Sequence, residues 1–270
     1  MTKSIQKRRK RLLKLFEGLA GGYVKDRFLH SLGTQYENKL EIETVKSSLK
    51  YIQNDQNNKI LDVGIGEARI SRELAFHGCE IIGIDISPNM LRYSSDILNQ
   101  QKYGQKSDFV LSSMSHLPFR ENCFDAVISI RNLKYSINPF KVIQEFHHVM
   151  NKEGIFIVEF PNIKTYYSLI ITLDKLMKKK IQPIRAIWQY FSIVELSQKL
   201  RSIGFEILDF QETLRLPKTL YRKVDQKNIL KTVISIEKAL SWILPQGLLT
   251  RSFIITCRKS REPRAYYFPR

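Results

Sequence analysis

The chain has 270 residues, 43% hydrophobic and 26% charged, enough for one large α/β domain with elaborations and too few for two domains of ordinary size. Its 44 lysines and arginines against 26 acids give a formal charge of +18, an excess that points to an anionic surface, lipid or nucleic acid, or to solvated basic tails. Three well-separated cysteines, Cys79, Cys123 and Cys257, fit a reducing cytosol and argue against a disulfide framework or a zinc site, and no apolar run nears the ~18–20 residues that span a bilayer.

The positive charge gathers in three places. Residues 1–16 hold seven basic residues and no acid, 164–188 hold six against Asp174, and 255–270 hold five against Glu262. Lys14 and Glu17 interrupt the apolar stretch after the first cluster, so a secretory signal is not expected. The protein is expected in the cytoplasm, soluble or at most peripheral to a membrane.

In chain order, "KRRKRLLKLFEGLAGGYVKDRF" and "YENKLEIETVKSSLKYI" read as helices, the second with Leu40, Val45, Leu49 and Ile52 on roughly one face. A polar loop, Gln53–Asn58, precedes a regular alternation. Strand "KILDVG" is followed by helix "ARISRELAFHG", and strand "EIIGIDIS" by helix "PNMLRYSSDIL". Strands "SDFVLSS" and "FDAVISI" come next, then helix "PFKVIQEFHHVM" and strand "GIFIVEF". Branched apolar strands separated by helices imply βαβ units and a parallel sheet covered on both faces. Residues 161–190 break the rhythm with a stripe of Ile163, Tyr166, Tyr167, Ile170, Leu173 and Met177 that ends in lysines. Ser192 to Glu195 reads as a capping box and Gly204 as a helix stop. Strand "FEILDFQ", a basic helical stretch and strand "SFIITCR" complete the chain.

The stretch "ILDVGIGEARI" (Ile60–Ile70) carries the chemistry. A dinucleotide fingerprint needs a third glycine beside the pyrophosphate, and here Arg69 holds that place, with Ala68 before it. A phosphate loop is missing too, since no Gly-Lys-Ser/Thr follows. Asp85 closes the second strand, nineteen residues past Gly66, where an acid can accept both hydroxyls of a ribose. Ser87 before Pro88 serves as the cap of the following helix.

These motifs, with "VLSSMSHLPFRENCFDAVISI" and "HHVMNKEGIFIVEF" downstream, resemble in order and spacing the class I S-adenosylmethionine-dependent methyltransferases. The likeness is to the branch that includes quinone-biosynthesis and other small-molecule enzymes. It runs from about Phe16 to Arg258. It implies a doubly wound, Rossmann-like sheet of seven mostly parallel strands with an antiparallel last strand. It also implies that S-adenosylmethionine lies over Gly64 and Gly66, with Asp62 ordering the loop and the cofactor's amino group. Asp85 would hold the ribose, Ile86 would pack on the adenine, and the Met114 backbone would meet it. The chain departs from the family pattern at Ser113 and Met114, where an acid and a small residue are usual. It departs again at "RNLKYSINP", which offers Arg131, Lys134 and Tyr135 in place of a histidine pair.

His116, Tyr23, His30 and Tyr135 are candidate bases, none distinguished by the sequence. His147 and His148 read as helix-surface residues, and Trp188, Tyr190 and Phe191 as acceptor lining or core. The expected layout is a helical cap at 1–55, a catalytic domain at 56–258 with a helical insertion at about 161–190, and a basic tail at 259–270. The cap and insertion would form a lid, and no metal is expected. The expected acceptor is a small molecule. Alternatives are an RNA or membrane-embedded lipid or quinone acceptor, or a non-catalytic nucleoside-binding module. RNA is disfavoured because no base-flipping motif or RNA-binding module is present, and a nicotinamide enzyme is disfavoured by Arg69 and the downstream motif order.

Overall fold

The computed structural model describes residues 3–52, 58–100, 107–165 and 189–260. Most of the 161–190 segment, Trp188 and residues 261–270 lie outside the described residues. Seven strands form one sheet in the order β3-β2-β1-β4-β5-β7-β6. In chain order they are β1 (Lys59–Val63), β2 (Glu80–Asp85), β3 (Ser107–Leu111), β4 (Phe124–Ser129), β5 (Met150–Pro161), β6 (Phe205–Glu212) and β7 (Ser252–Lys259). Strands β1 to β5 pair in parallel, and β7 runs antiparallel to both of its neighbours, β5 and β6. This is the seven-stranded arrangement with one reversed strand that the resemblance implied.

Period-two alternation puts each strand's side chains on both faces, and here both are apolar. Leu61, Val63, Ile82, Ile84, Val127 and Phe156 pack on one face with α6 (Pro139–Val149) and α7 (Ile193–Ile203). Ile60, Ile81, Ala126, Ile128, Ile155 and Ile157 pack on the other with α3 (Leu32–Ser48), α4 (Ser71–Phe76) and α5 (Pro88–Gln100). Ser192 accepts the Glu195 N–H and Gly204 sits at φ +108, so α7 starts and stops at its expected signals. Ser87 Oγ likewise accepts the Met90 N–H at 3.2 Å.

Four elements differ from the sequence reading. The first helix breaks at Gly21 and Gly22 into α1 (Lys3–Leu19) and α2 (Tyr23–Phe28), because Gly21 takes φ +87. The next helix begins at Leu32, capped by a reciprocal Ser31–Thr34 box. After β1 the chain turns through Ala68 at φ +51, so helix α4 starts only at Ser71. The late basic stretch is two helices, α8 (Lys218–Tyr221) and α9 (Lys227–Ile243).

The two ends of the chain meet over the sheet. Ser31 Oγ donates to Tyr221 O at 2.7 Å, and Gly33 N–H to Val224 O at 2.9 Å. Buried Glu237 of α9 accepts the Tyr221 hydroxyl at 2.7 Å and the backbone N–H groups of Arg215 and Leu216 at 3.0 and 2.8 Å. Carboxylate acceptance of buried donors makes these bonds stronger than neutral ones. A Cβ on Gly33 would stand 2.3 Å from Tyr221 O. Gly33→Ala should therefore destabilise the fold by about 1–3 kcal/mol through overpacking, although alanine favours a helix by up to ~1 kcal/mol over glycine. Urea unfolding followed by circular dichroism reads the difference. A midpoint that rises would show that helix propensity, and not this close approach, governs the site.

Candidate active site

In this strand order the chain reverses direction of growth between β1 and β4, which opens a crevice at their carboxyl ends. The glycine turn after β1 lies in it. The N–H groups of Gly64 and Ile65 both donate to Ile84 O, at 2.8 and 3.0 Å, tying the turn to β2. Gly64 takes φ +74, and a Cβ there would stand 2.5 Å from Asn132 Nδ2. Asn132 is itself fixed by bonds to Val63 O and from Ser129 Oγ. Glycine is thus required twice over at position 64, by backbone angle and by contact.

Asp85 accepts the Gly66 N–H at 3.1 Å on one oxygen and the Ser87 N–H at 2.9 Å on the other. Burial pushes its carboxyl up, against the hydrogen bonds from Ser87 and Gly66. Asp62, two residues before Gly64, accepts the Ser71 hydroxyl at 2.6 Å. Burial raises its carboxyl to about 6, with nearby Asp85 adding to the rise and the Ser71 bond opposing it. Asp62, Gly64, Gly66, Asp85, Ile86 and Met114 all line one cavity of about 120 Å³. Leu12 and Phe16 of α1 and Tyr23, Val24 and Phe28 of α2 cover it.

Two acids that sequence reasoning passed over hold this cover in place. Glu67 accepts the N–H groups of Gly21, Tyr23 and Val24 at 2.8, 2.9 and 3.0 Å. Tyr23 and Val24 are open donors of the first turn of α2 and Gly21 precedes its N-cap, Gly22, which offers no side-chain cap. A helix start lacking its own Ser, Thr, Asp or Asn was the available signal that an acceptor must come from elsewhere. Glu17 of α1 accepts the Ser87 hydroxyl at 2.6 Å and bonds the Asn89 side chain.

A second cavity, of about 580 Å³, adjoins the first at Arg131, which lines both. Arg131 sits at φ +65 just after β4, a conformation that non-glycine residues adopt at a cost of order 1–3 kcal/mol. Its guanidinium is held by Glu41, with Nε at 2.9 and 3.0 Å from the two carboxylate oxygens, and by Glu37 at 3.0 Å. Arg69 completes the group, reaching Glu41 at 2.9 Å and Asn38 at 2.7 Å. The residue that stands where a third glycine was wanted thus pairs its guanidinium with Asn38 and Glu41 of α3 while still lining the glycine-turn cavity. Arg251 reaches Glu37 at 2.9 Å. Burial opposes the charge on Glu41, but Arg131 and Arg69 overcome it and bring its carboxyl down to about 2.

Buried Phe28 stands at the centre, its ring 4.1 Å from the Arg69 guanidinium, 4.8 Å from that of Arg131 and 5.1 Å from Lys218 Nζ. Lys218 Nζ and Glu37 Oε2 lie 3.8 Å apart, and neither makes a hydrogen bond within the described residues. Burial, helped by Arg131, pushes the Lys218 ammonium down to about 7, and burial brings Lys134 down to about 8. Glu37, Glu41, Lys218 and Arg251 were not singled out from the sequence, because nothing in their spacing joins them.

The remaining candidates separate cleanly. Tyr23 and Tyr135 line the smaller cavity, and burial pushes the Tyr135 hydroxyl up. Lys134 and Tyr190 line the larger. His30 and His116 are exposed and line neither cavity. Ser113 bonds Ser115 Oγ at 3.0 Å in a tight turn. Phe191 is core, packed edge-on against Phe140 and Phe160. His147 stacks edge-on on Phe205, and burial lowers it to about 4, while His148 is exposed. Among the described residues, no group of three or more His, Cys, Asp or Glu side chains could hold a metal ion.

A family profile described as "Methyltransferase domain" matches residues 61–158. The chain is 27% identical over 149 residues to sterol 4-C-methyltransferase strm-1 of Caenorhabditis elegans, covering 54% of this chain and 42% of that protein. It is 24% identical over 153 residues to sterol 24-C-methyltransferase erg6 of Schizosaccharomyces pombe, covering 56% and 40%. The chain thus spans about two-fifths of the length of these curated relatives. The fold is shared with magnesium protoporphyrin IX methyltransferase (ChlM) from Synechocystis PCC 6803 with bound SAH, at a TM-score of 0.64 and 15% identity over 94% of this chain and 100% of that one. It is shared as well with the [4+2]-cyclase SpnF, at 0.59 and 19% over 81% and 80%, so the fold by itself does not carry an activity. Residues 61–158 thus match a methyltransferase domain, and the seven-stranded sheet has the fold of solved methyltransferases, in agreement with the motif order.

Proposed function

We propose that the protein transfers a methyl group from S-adenosylmethionine to a small-molecule acceptor, with the donor in the glycine-turn cavity and the acceptor in the larger cavity beyond Arg131. One observation carries the reading. Two carboxylates, buried Asp62 and half-buried Asp85, stand at the glycine turn with their charge incompletely compensated, since desolvation raises both. Such a site repels phosphate and suits hydroxyls, an ammonium and a sulfonium. The cofactor residues then take the roles that the resemblance implies. Asp85 accepts the ribose hydroxyls and Asp62 faces the amino group. Gly64 and Gly66 leave room for the methionine part, and Ile86 and Met114 flank the adenine. When bound there, S-adenosylmethionine supplies an electrophilic methyl on a good leaving group.

The protein's part is then alignment, which can contribute ~7–11 kcal/mol to such a displacement. The 120 Å³ void is small beside the ~300–1,000 Å³ of most ligand pockets, so cofactor entry displaces α1 and α2. The bonds from Glu17 and Glu67 are the ties that would open and re-form. On the acceptor side, Arg131, Lys134, Lys218 and Arg251 face Glu37, Glu41 and Glu159, and Glu41 is already shared with Arg69. The whole lining holds six basic and five acidic side chains, close to balance, so its charge does not by itself choose the acceptor's polar end. A cytoplasmic setting is supported by three free cysteines and by the lack, among the described residues, of a helix long and apolar enough to cross a membrane.

Calorimetric titration with S-adenosylmethionine, S-adenosylhomocysteine and NAD tests the cofactor assignment. The two sulfur nucleosides should bind and NAD should not. Asp85→Ala should lose about 1.5–3 kcal/mol of nucleoside affinity. If NAD binds instead, or Asp85→Ala binds the nucleosides as the parent does, the assignment is wrong.

The pH dependence follows from Asp62. Its carboxyl is protonated below about 6 in the free protein, whereas a cationic ligand prefers the carboxylate. Cofactor affinity should therefore rise as pH climbs through about 6 and level off above it, with proton release detectable from titrations in buffers of different ionisation enthalpy. Asp62→Asn should flatten that profile. A wild-type profile that is flat between pH 5 and 7 would remove Asp62 from the cofactor's amino group.

A further inference from the structure

Five acids line the larger cavity: Glu37, Glu41, Glu159, Glu212 and Glu237. Four of them are answered by the protein itself. Glu37 and Glu41 hold the arginines already described, and the bare oxygen of Glu37 has Lys218 Nζ at 3.8 Å. Glu212 bonds Arg215, Thr250 and the Gly247 N–H. Glu237 accepts from Tyr221, Arg215 and Leu216. Glu159 is the exception. It is 5% exposed, its Oε2 accepts no hydrogen bond, and it makes no ion pair among the described residues.

Packing gives no reason for an acid at this place. Period-two alternation puts Glu159 on the face of β5 that carries Ile155 and Ile157, and these isoleucines pack with Ile42 and Val45 of α3. Across the ladder to β7 its partner is Ile254, of the same apolar cluster. A carboxylate thus follows two isoleucines on a face that is otherwise apolar. Out of water and without a bonded partner it is costly to the fold, yet it stands near the carboxyl end of its strand, where ligands of such sheets bind. Its charge acts on Arg131, Lys134 and Tyr135, and Arg131 and Tyr135 line the cofactor cavity. Glu159 therefore lies within electrostatic reach of the wall between the two cavities.

We infer that Glu159 receives the acceptor: a hydroxyl or amine of a small molecule in the larger cavity donates to its carboxylate. The inference rests on reading that cavity as the acceptor site. What selects the ligand is one unanswered hydrogen-bond acceptor, and not the net charge of the lining. At about 580 Å³ the cavity has the size that encloses a small molecule, and Leu40, Leu214, Ile234, Ile254 and Trp242 give it an apolar wall. A donor group on an apolar frame satisfies both parts of that lining. A carboxylate or phosphate would set one anion against another at Glu159 and would seek Lys134 or Lys218 instead.

Three probes with a phenyl frame and different polar ends test this: phenethylamine, phenethyl alcohol and hydrocinnamate. Their binding to the full chain, with S-adenosylhomocysteine present, is read by calorimetry and ligand-observed NMR. The amine and the alcohol should bind, and the carboxylate more weakly. Glu159→Gln keeps the shape and removes the charge, so it should weaken the amine by about tenfold or more. Glu159→Leu should abolish binding of the alcohol as well. Glu206→Gln, at an exposed position of β6 outside both cavities, should bind all three as the parent does. Nucleoside affinity and melting temperature should not fall in either Glu159 variant, because the residue lines no part of the cofactor cavity and its Oε2 holds no bond that the fold would lose.

Amine and alcohol binding that survives both Glu159 substitutions would overturn the inference. So would hydrocinnamate binding tightest, or the failure of all three probes to bind. A lower melting temperature with probe binding intact would overturn it too, and would make Glu159 a part of the fold alone. If the sulfur nucleosides fail to bind while the amine still binds through Glu159, the methyltransferase reading falls and this site stands.

Discussion

The buried ion group around Phe28 is the constraint on which the rest of the site depends. Arg131, Arg69 and Arg251 share Glu37 and Glu41, and the ring of Phe28 lies against Arg69, Arg131 and Lys218. Charges taken out of water are tolerated only when paired and hydrogen-bonded, and removing one partner from such a pair costs ~3–5 kcal/mol. The group ties five parts of the fold together: α2, α3, the glycine turn, the loop after β4, and the start of β7 with α8. A strained backbone at Arg131 is tolerable because so many partners over-determine its place.

That tie decides how the two cavities relate. Arg131 is their common wall, and its rotation is fixed by two glutamates from the helical cap. The N-terminal helices are thus more than a cover: through Glu37 and Glu41 of α3 they hold the cation that lines both cavities. Its outer hold is lighter, made by Glu17 and Glu67 to backbone and side-chain donors. Both layers use acids from one element to satisfy donors on another, which makes the cap's position a property of the closed site and not of the cap's own packing.

The two cavities carry different charged groups. The smaller has Asp62 and Asp85 near the glycine turn, and the larger gathers Lys134, Lys218 and Arg251 near Arg131, facing Glu37, Glu41 and Glu159.

The sequence by itself determined the sheet, the turn and the residues gathered at it. Strand runs alternate over both faces, so "ILDVG" and "FDAVISI" could be placed as buried parallel strands without coordinates. Gly64 and Gly66 declare a local backbone need, and Asp85 at the end of its strand declares the crevice it faces; all six residues named from these motifs line one cavity. Only the tertiary structure decided the wall between the cavities and the ties made by Glu17 and Glu67. Phe28, Glu37, Glu41, Arg69, Arg131, Lys218 and Arg251 are scattered along the chain, and no periodicity links them. Arg69 showed the limit most clearly: the sequence recorded a missing glycine, and packing turned its side chain into the cap. Local patterns are legible because they repeat at the period of the backbone, whereas a buried charge finds its partner only when the elements that carry them are packed.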